Sequence, residues 1–258
     1  LQQGASHSES QGYGLFLATA FADNAAFDSI YGWTETNLAI RPDALLAWRW
    51  LPDAAEQVAD TNNASDGDIF YAWALAIRAG KDGSAELLTR ATAIAADLAA
   101  RCIVPHPDGS GRLLLAPAAV GFDRAGETIV NFSYYMPLAM RELARATGVA
   151  ILATCAADGE ALMADLAAEG LMPDWIQIGP LTTSVAEGMS DQNGYEALRI
   201  APFLAWSGNA AHPAVRQQAK AYRAAVVPAG QTATVFDRRS GAVIEASRID
   251  GANWWQMT

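Results

Sequence analysis

Apolar residues recur at spacings of three and four in one segment after another, and each such segment ends in a short stretch of Gly, Pro, Asn or Asp. Residues three and four apart share one face of a 3.6-residue period, so the pattern predicts successive amphipathic helices joined by turns. Helices are expected near 12–22, 26–39, 67–79, 84–101, 134–147, 155–169, 194–207 and 213–226. β-branched stretches at 112–116, 232–237 and 242–247, the last two reading as a hairpin, are too few for a central sheet. The fold class that follows is all-α, built of antiparallel helical hairpins with their loops gathered at one end and minor β-hairpin elements.

No Pro-rich, Gly/Ser-rich or single-charge tract interrupts this texture, so residues 1–258 read as a single domain. A hydrophobic content of 52% is enough to fill its core. The formal net charge of -11 repels phosphate backbones and anionic lipid headgroups, which argues against nucleic acid as a partner. A neutral polysaccharide is compatible with that charge, and a cationic one is attracted by it. No apolar run approaches the roughly 18 residues of a membrane span, and Leu1 opens without the basic and apolar regions of a signal peptide. No membrane insertion is expected, and the chain reads as soluble or already processed. Cys102 and Cys155 have the spacing of no zinc or redox motif; one disulfide and two buried thiols are both open.

Acidic residues stand at three loop-to-helix junctions: SHSESQGYGL around Glu9, NNASDGDIFYAWAL around Asp66 and Asp68, and NGYEALRI around Glu196. Any one of them has a mundane explanation, because carboxylates cap free N–H groups and complement the helix dipole. Together they suit glycoside hydrolysis, which needs a protonated carboxyl to assist the leaving oxygen and an ionised one as nucleophile or base. Other chemistries are poorly served. His7, His106 and His212 lack metal-site spacing and no nucleophile elbow is present. Gly12-Tyr13-Gly14 lacks the setting of a dinucleotide loop, and Ala64 and Trp73 occupy ligand positions in the string that resembles a calcium loop.

The blocks SHSESQGYGLFLA, NNASDGDIFYAWAL, IVNFSYYMP, PDWIQI and NGYEALRI occur in the order seen in glycoside hydrolase family 8. With LLAWRWLP and AVGF they resemble most the periplasmic or secreted endoglucanases that accompany bacterial cellulose synthases. The resemblance spans Ala5 to about Ser207. It implies an (α/α)6 barrel of helical hairpins, an open groove, and endo-cleavage of a β-1,4-glucan with inversion and without metal or organic cofactor. It also implies a periplasmic or secreted location and an association with cellulose synthase machinery. Family members have a helix before the general acid and more after the base, so the barrel is expected to be incomplete at the termini.

Residue by residue, the resemblance makes Glu9 the general acid, with Ser10 where the family's Ser-Glu-Gly-Gln block has glycine. Asp66 matches the aspartate that grips and distorts the sugar at the scissile position, and Asp68 reads as structural. Glu196 falls on the general base, which is normally aspartate in a Tyr-Asp-Ala-x-Arg context; Asp191 is a reserve candidate. Tyr134 matches a tyrosine that helps hold the attacking water, while Tyr195 and Arg199 flank the base and orient it. Five tryptophans, Trp33, Trp48, Trp50, Trp73 and Trp175, are candidate sugar platforms. Most are expected in the core, Trp73 above all, with Trp50 and Trp175 in the groove. Two alternatives stay open: a chitosanase or xylanase of the same family, and a catalytically impaired glucan-binding or assembly protein, which the Asp-to-Glu departure and the short chain suggest.

Overall fold

A computed structural model of the chain describes residues 4–124 and 126–248. These fall into two compact units. The first runs to Val104 and takes in Ala116–Phe122 and Ala139–Thr154; the second holds Pro105–Leu115, Asp123–Leu138 and the chain from Cys155 onward. Helices dominate, with small strand pieces: α1 (Ser8–Ala20), α2 (Asn24–Asn37), α3 (Ser65–Asp82), α4 (Ala85–Arg101), α5 (Pro137–Thr147), α6 (Ile151–Ala167), α7 (Ile200–Trp206) and α8 (Pro213–Ala224). Each corresponds to one expected helical segment. No helix among the described residues is long and apolar enough to cross a membrane.

In the first unit α3 is the central element. Every residue from Ser65 to Ala76 is buried, the pattern of a helix enclosed on all sides. It ends at Gly83, whose φ of 70° is left-handed and suits glycine. Against α3 lies α1, at backbone contact. A Cβ on Gly12 would stand 2.9 Å from Phe70 Cβ, and one on Gly67 would stand 2.3 Å from Ser8 Oγ. Glycine at both positions is what lets the two helices touch. The side chains of Asp23 and Ser84 cap α2 and α4, accepting from Ala26 N–H at 3.0 Å and Leu87 N–H at 3.3 Å.

Helix α1 begins four residues before the expected Gly12. The cause is Ser10, whose hydroxyl accepts from His7 N–H at 3.2 Å and donates to His7 C=O at 2.8 Å, closing the first turn. Residues Ser6–His7 then pair antiparallel with Arg49–Trp50, Ser6 opposite Trp50.

The second unit contains the expected hairpin, Gln231–Phe236 against Val243–Arg248. Phe236, Ala233, Ala221 and Leu171 form its buried apolar cluster, with Tyr222 packed on it. It also contains a sheet the sequence pattern did not reveal. Strands Asp123–Arg124, Glu127–Val130, Ile176–Ile178 and Thr183–Ser184 pair in that order, all antiparallel. Two to four residues are too short for a period-two pattern to register. The pairing of Val130 with Ile176 sets the segments that flank them side by side, Asn131–Tyr134 next to Asp174 and Trp175.

Helix α5 starts at Pro137 rather than near Tyr134, because the residue before a proline is pushed out of helical geometry; a 3-10 turn at Phe132–Tyr134 precedes it. Helix α7 starts at Ile200 rather than Gly194, and a 3-10 turn, Ala197–Arg199, leads into it. Cys102 and Cys155 are both buried and free, which selects the thiol alternative over the disulfide.

Candidate active site

Glu9 lies in the first turn of α1, partly exposed, and the Tyr13 hydroxyl one turn later donates to its Oε1 at 3.0 Å. The α1–α3 crossing ties its position to that of Asp66. A Cβ on Gly67 would stand 2.7 Å from Glu9 N, so the backbone next to Asp66 rests on the backbone of Glu9. Asp66 is only 2% exposed, and its Oδ1 accepts from Gly67 N–H at 2.8 Å. The structure thus brings Glu9 and Asp66 onto adjacent first turns of two touching helices.

Asp68, half a turn further along α3, is wholly buried. Leu46 N–H donates to its Oδ1 at 2.8 Å and Asn63 Nδ2 to its Oδ2 at 2.9 Å, while Asn63 Oδ1 accepts from Ala119 N–H at 2.7 Å. Burial pushes the Asp68 carboxyl up to about 7, against the opposing pull of these donors. Asp68 fastens two loops to α3.

Aromatic side chains surround the start of α1. His7, whose pKa burial lowers, with Arg49 adding to the effect and Glu9 opposing it, stacks on Trp48 at 5.7 Å. Trp48 Nε1 donates to Asp60 Oδ2 at 2.9 Å and the Arg49 guanidinium lies 4.4 Å over its ring. Trp50, in the short strand opposite Ser6, donates from Nε1 to Gln57 Oε1 at 3.2 Å and meets Trp33 edge-on at 5.3 Å. The expectation that most of the five tryptophans are core is corrected. Trp73 is buried, stacked on Phe16 at 4.5 Å with Nε1 donating to Glu142 Oε2 at 2.7 Å, but Trp33, Trp48, Trp50 and Trp175 are all part-exposed. An indole N–H with a carboxylate or amide partner near the surface need not be enclosed.

In the second unit Glu196 stands at the head of the 3-10 turn, its side chain 37% exposed. Arg199 Nη2 forms an ion pair with Glu196 Oε2, and Asn131 Nδ2 reaches the same oxygen at 3.4 Å. Ser133 Oγ accepts from Arg199 Nη2 at 2.9 Å and lies 2.7 Å from Asn131 Oδ1 and 3.3 Å from Glu196 Oε2. Its single proton goes to the nearer oxygen, Asn131 Oδ1. Arg199 is buried, with its guanidinium 5.9 Å from the centre of the Tyr134 ring, and Tyr134 meets Trp175 edge-on at 6.0 Å. Tyr195 is exposed. Asp191 lies in the preceding loop, where it accepts from Gln192 Nε2 at 3.3 Å; the side-chain N–H groups of Asn131 and Arg199 converge on Glu196 instead.

One residue of this region escaped the sequence reading. Asp174 Oδ1 accepts from three backbone N–H groups, those of Gly194 at 3.0 Å, Glu196 at 3.1 Å and Ala197 at 2.8 Å. Burial pushes its carboxyl up to about 6; these donors pull against that and the Glu196 charge adds to it. The PDWIQI block carries it, but nothing in the local pattern marks the aspartate above its tryptophan. Around it the loop that carries Glu196 is braced on both sides. Asp174 N–H donates to Gln192 C=O at 2.7 Å, and Asn193 and Phe236 exchange two backbone hydrogen bonds at 3.1 and 2.9 Å.

Comparison with known proteins identifies the family. The chain is 33% identical over 207 residues to an endoglucanase of Cellulomonas uda, covering 78% of this chain and 56% of that one. It is 33% identical over 209 residues to a probable endoglucanase of Novacetimonas hansenii, covering 79% and 60%. The chain therefore spans little more than half the length of these relatives. Among solved structures, an endo-β-1,4-glucanase from Acetobacter xylinum superposes with a TM-score of 0.82 at 27% identity, over 95% of this chain and 75% of that one. A family 8 endo-β-1,4-glucanase from an Achatina fulica gut metagenomic library gives 0.83 at 26% identity, over 95% and 76%. The solved members of the family are (α/α)6 barrels. The family model for glycosyl hydrolases family 8 matches residues 2–242, and this chain belongs to that family.

Proposed function

We propose that this chain is the catalytic domain of an inverting endo-β-1,4-glucanase. The observation that carries the reading is the hold on Glu196. A part-exposed carboxylate is fixed through one oxygen, Oε2, by a buried arginine and an asparagine, which leaves Oε1 as the oxygen that takes a proton from water. Glu9, steadied through Oε1 by the Tyr13 hydroxyl, gives its proton to the glycosidic oxygen. As the C1–O bond breaks, water adds to C1 from the opposite face and loses its proton to Glu196. Asp66 accepts a hydroxyl of the sugar at the scissile position, favouring the distorted ring. Tyr134 helps hold the water, Arg199 and Tyr195 orient the base, and Trp50 and Trp175 offer ring faces to neighbouring sugars. The endoglucanase names of the relatives support β-1,4-glucan as the substrate.

Periplasmic or secreted location and work beside cellulose synthase machinery extend the same proposal. The fixed carboxylate favours an active enzyme over an impaired binding protein. The net charge of -11 makes cationic chitosan the second substrate to test.

The deciding experiment is reducing-sugar release from carboxymethyl cellulose, chitosan and xylan, with NMR of the new anomeric centre. Release of the α-anomer from cellulose is expected, with kcat reduced by about 10²–10⁴ in both Glu9→Gln and Glu196→Gln. Retained β-configuration, or full activity in either variant, would refute the mechanism. Release from chitosan alone would move the substrate to the second reading.

A further inference from the structure

Three N–H groups on one carboxylate oxygen is an unusual concentration of donors. All three belong to the turn that carries Glu196. The first N–H groups of a helical turn have no partner within it, and a buried acceptor that collects them fixes the backbone there. Asp174 is 8% exposed, so its bonds do not compete with bulk water, and bonds to an ionised acceptor are the stronger kind.

Gly194 completes the fit. A Cβ there would stand 2.5 Å from Asp174 Oδ2, so the carboxylate occupies the space a side chain would need. One of the three donors is the amide of Glu196 itself. Asp174 therefore sets the direction in which that side chain leaves the backbone, while Arg199 and Asn131 hold its far end. A glutamate has one more rotatable bond than the aspartate usual at this position in the family, so a fixed point of departure matters more.

We infer that Asp174 is a positioning residue for the base: by pinning the 194–197 turn through Oδ1 it keeps Glu196 within reach of Arg199 and of the water to be deprotonated. The inference rests on the proposed role of Glu196 and is tested so that the two can fail separately. The substrate is a dinitrophenyl cello-oligosaccharide, whose leaving group departs without an acid, so the rate reports the base. Azide is the probe. It attacks C1 directly, forming the N–C1 bond as the C1–O bond to dinitrophenolate breaks, and needs no proton removed.

In Asp174→Asn the side chain keeps its shape and loses its charge. kcat is expected to fall about 10–100-fold with KM within about twofold, and azide to restore turnover as it does in Glu196→Ala. Amide hydrogen exchange at Gly194, Glu196 and Ala197 is expected to quicken by about tenfold, the loss of one charge-assisted acceptor. Gly194→Ala disturbs the same contact from the other side and gives the same pattern, which keeps the test open if Asp174→Asn does not fold. Unchanged kcat with faster exchange would overturn the inference, and so would a loss that azide restores in Glu196→Ala but not in Asp174→Asn. If Glu196→Ala itself keeps the wild-type rate, the base assignment falls and the positioning role falls with it.

Discussion

Glu196 is one methylene longer than the aspartate that the sequence resemblance implies at this point, and the groups around it meet the end of that length. Arg199 and Asn131 meet its Oε2, the tip of the longer chain. Glu196→Asp is therefore expected to lower kcat about 10–100-fold, because the carboxylate retracts by roughly an ångström from the groups that hold it. Steady-state kinetics on a soluble glucan decides this; a variant faster than the wild type would show that the site is not fitted to glutamate. Ser10 has a different kind of consequence. Among the described residues its hydroxyl bonds to the His7 backbone, closing the first turn of α1. Glu9, Asp66 and Glu196 stand out in the sequence as candidates because each precedes or heads an apolar helical run inside a family block. Asp174 was not, because its meaning lies in N–H groups 20 to 23 residues away, whose convergence no spacing rule announces.

Among elements, the α1–α3 crossing fixes where Glu9 stands. Its close approach depends on Gly67, where a Cβ would stand 2.7 Å from Glu9 N and 2.8 Å from the carbonyl carbon of Ser8. Those are backbone atoms and cannot swing aside. Gly67→Ala is expected to force the helices apart, costing about 1–3 kcal/mol of stability as overpacking does, and to cut kcat about a hundredfold as Glu9 moves. Urea unfolding and kinetics on the same preparation separate the two effects; an alanine variant of normal stability and rate would mean the crossing is looser than its geometry. The helices themselves were readable from apolar spacing, all eight in order, with errors only at their ends. Those errors have local causes: the Ser10 closure of α1, Pro137 at the start of α5, and the carboxylate of Asp174 ahead of α7. The four-stranded sheet was invisible for the opposite reason. Its strands are two to four residues long and are stabilised by partners distant in sequence.

For the whole molecule, two buried carboxyls contribute stability that is lost as the pH rises. Asp68 and Asp174 are both raised above the ordinary carboxylate range, to about 7 and about 6, chiefly by burial. The folded chain thus holds these protons more tightly than the unfolded chain, whose aspartates titrate near about 4. Their contribution to stability is greatest below about pH 4 and falls as the pH rises through about 6 and about 7. Asp68 alone accounts for a loss on the order of 2–4 kcal/mol, from a shift of about three units. Urea unfolding at pH 5 and pH 8 is expected to show lower stability at the higher pH. In Asp68→Asn, which cannot ionise, the difference shrinks, while its amide set against Asn63 Nδ2 costs about 1–3 kcal/mol at both. An Asp68→Asn chain with the same difference between pH 5 and pH 8 as the wild type would mean that Asp68 is not held protonated.

The paired backbone bonds between Asn193 and Phe236 also impose an order on biosynthesis. Phe236 leaves the ribosome about 40 residues after Glu196, a delay of about 2–8 seconds at ordinary elongation rates. Until that phenylalanine emerges, the loop ahead of Glu196 lacks one of its two braces. A nascent chain arrested before this point, or a mature one nicked between α8 and the hairpin, would keep Glu9, Asp66 and Glu196 and still be expected to work poorly.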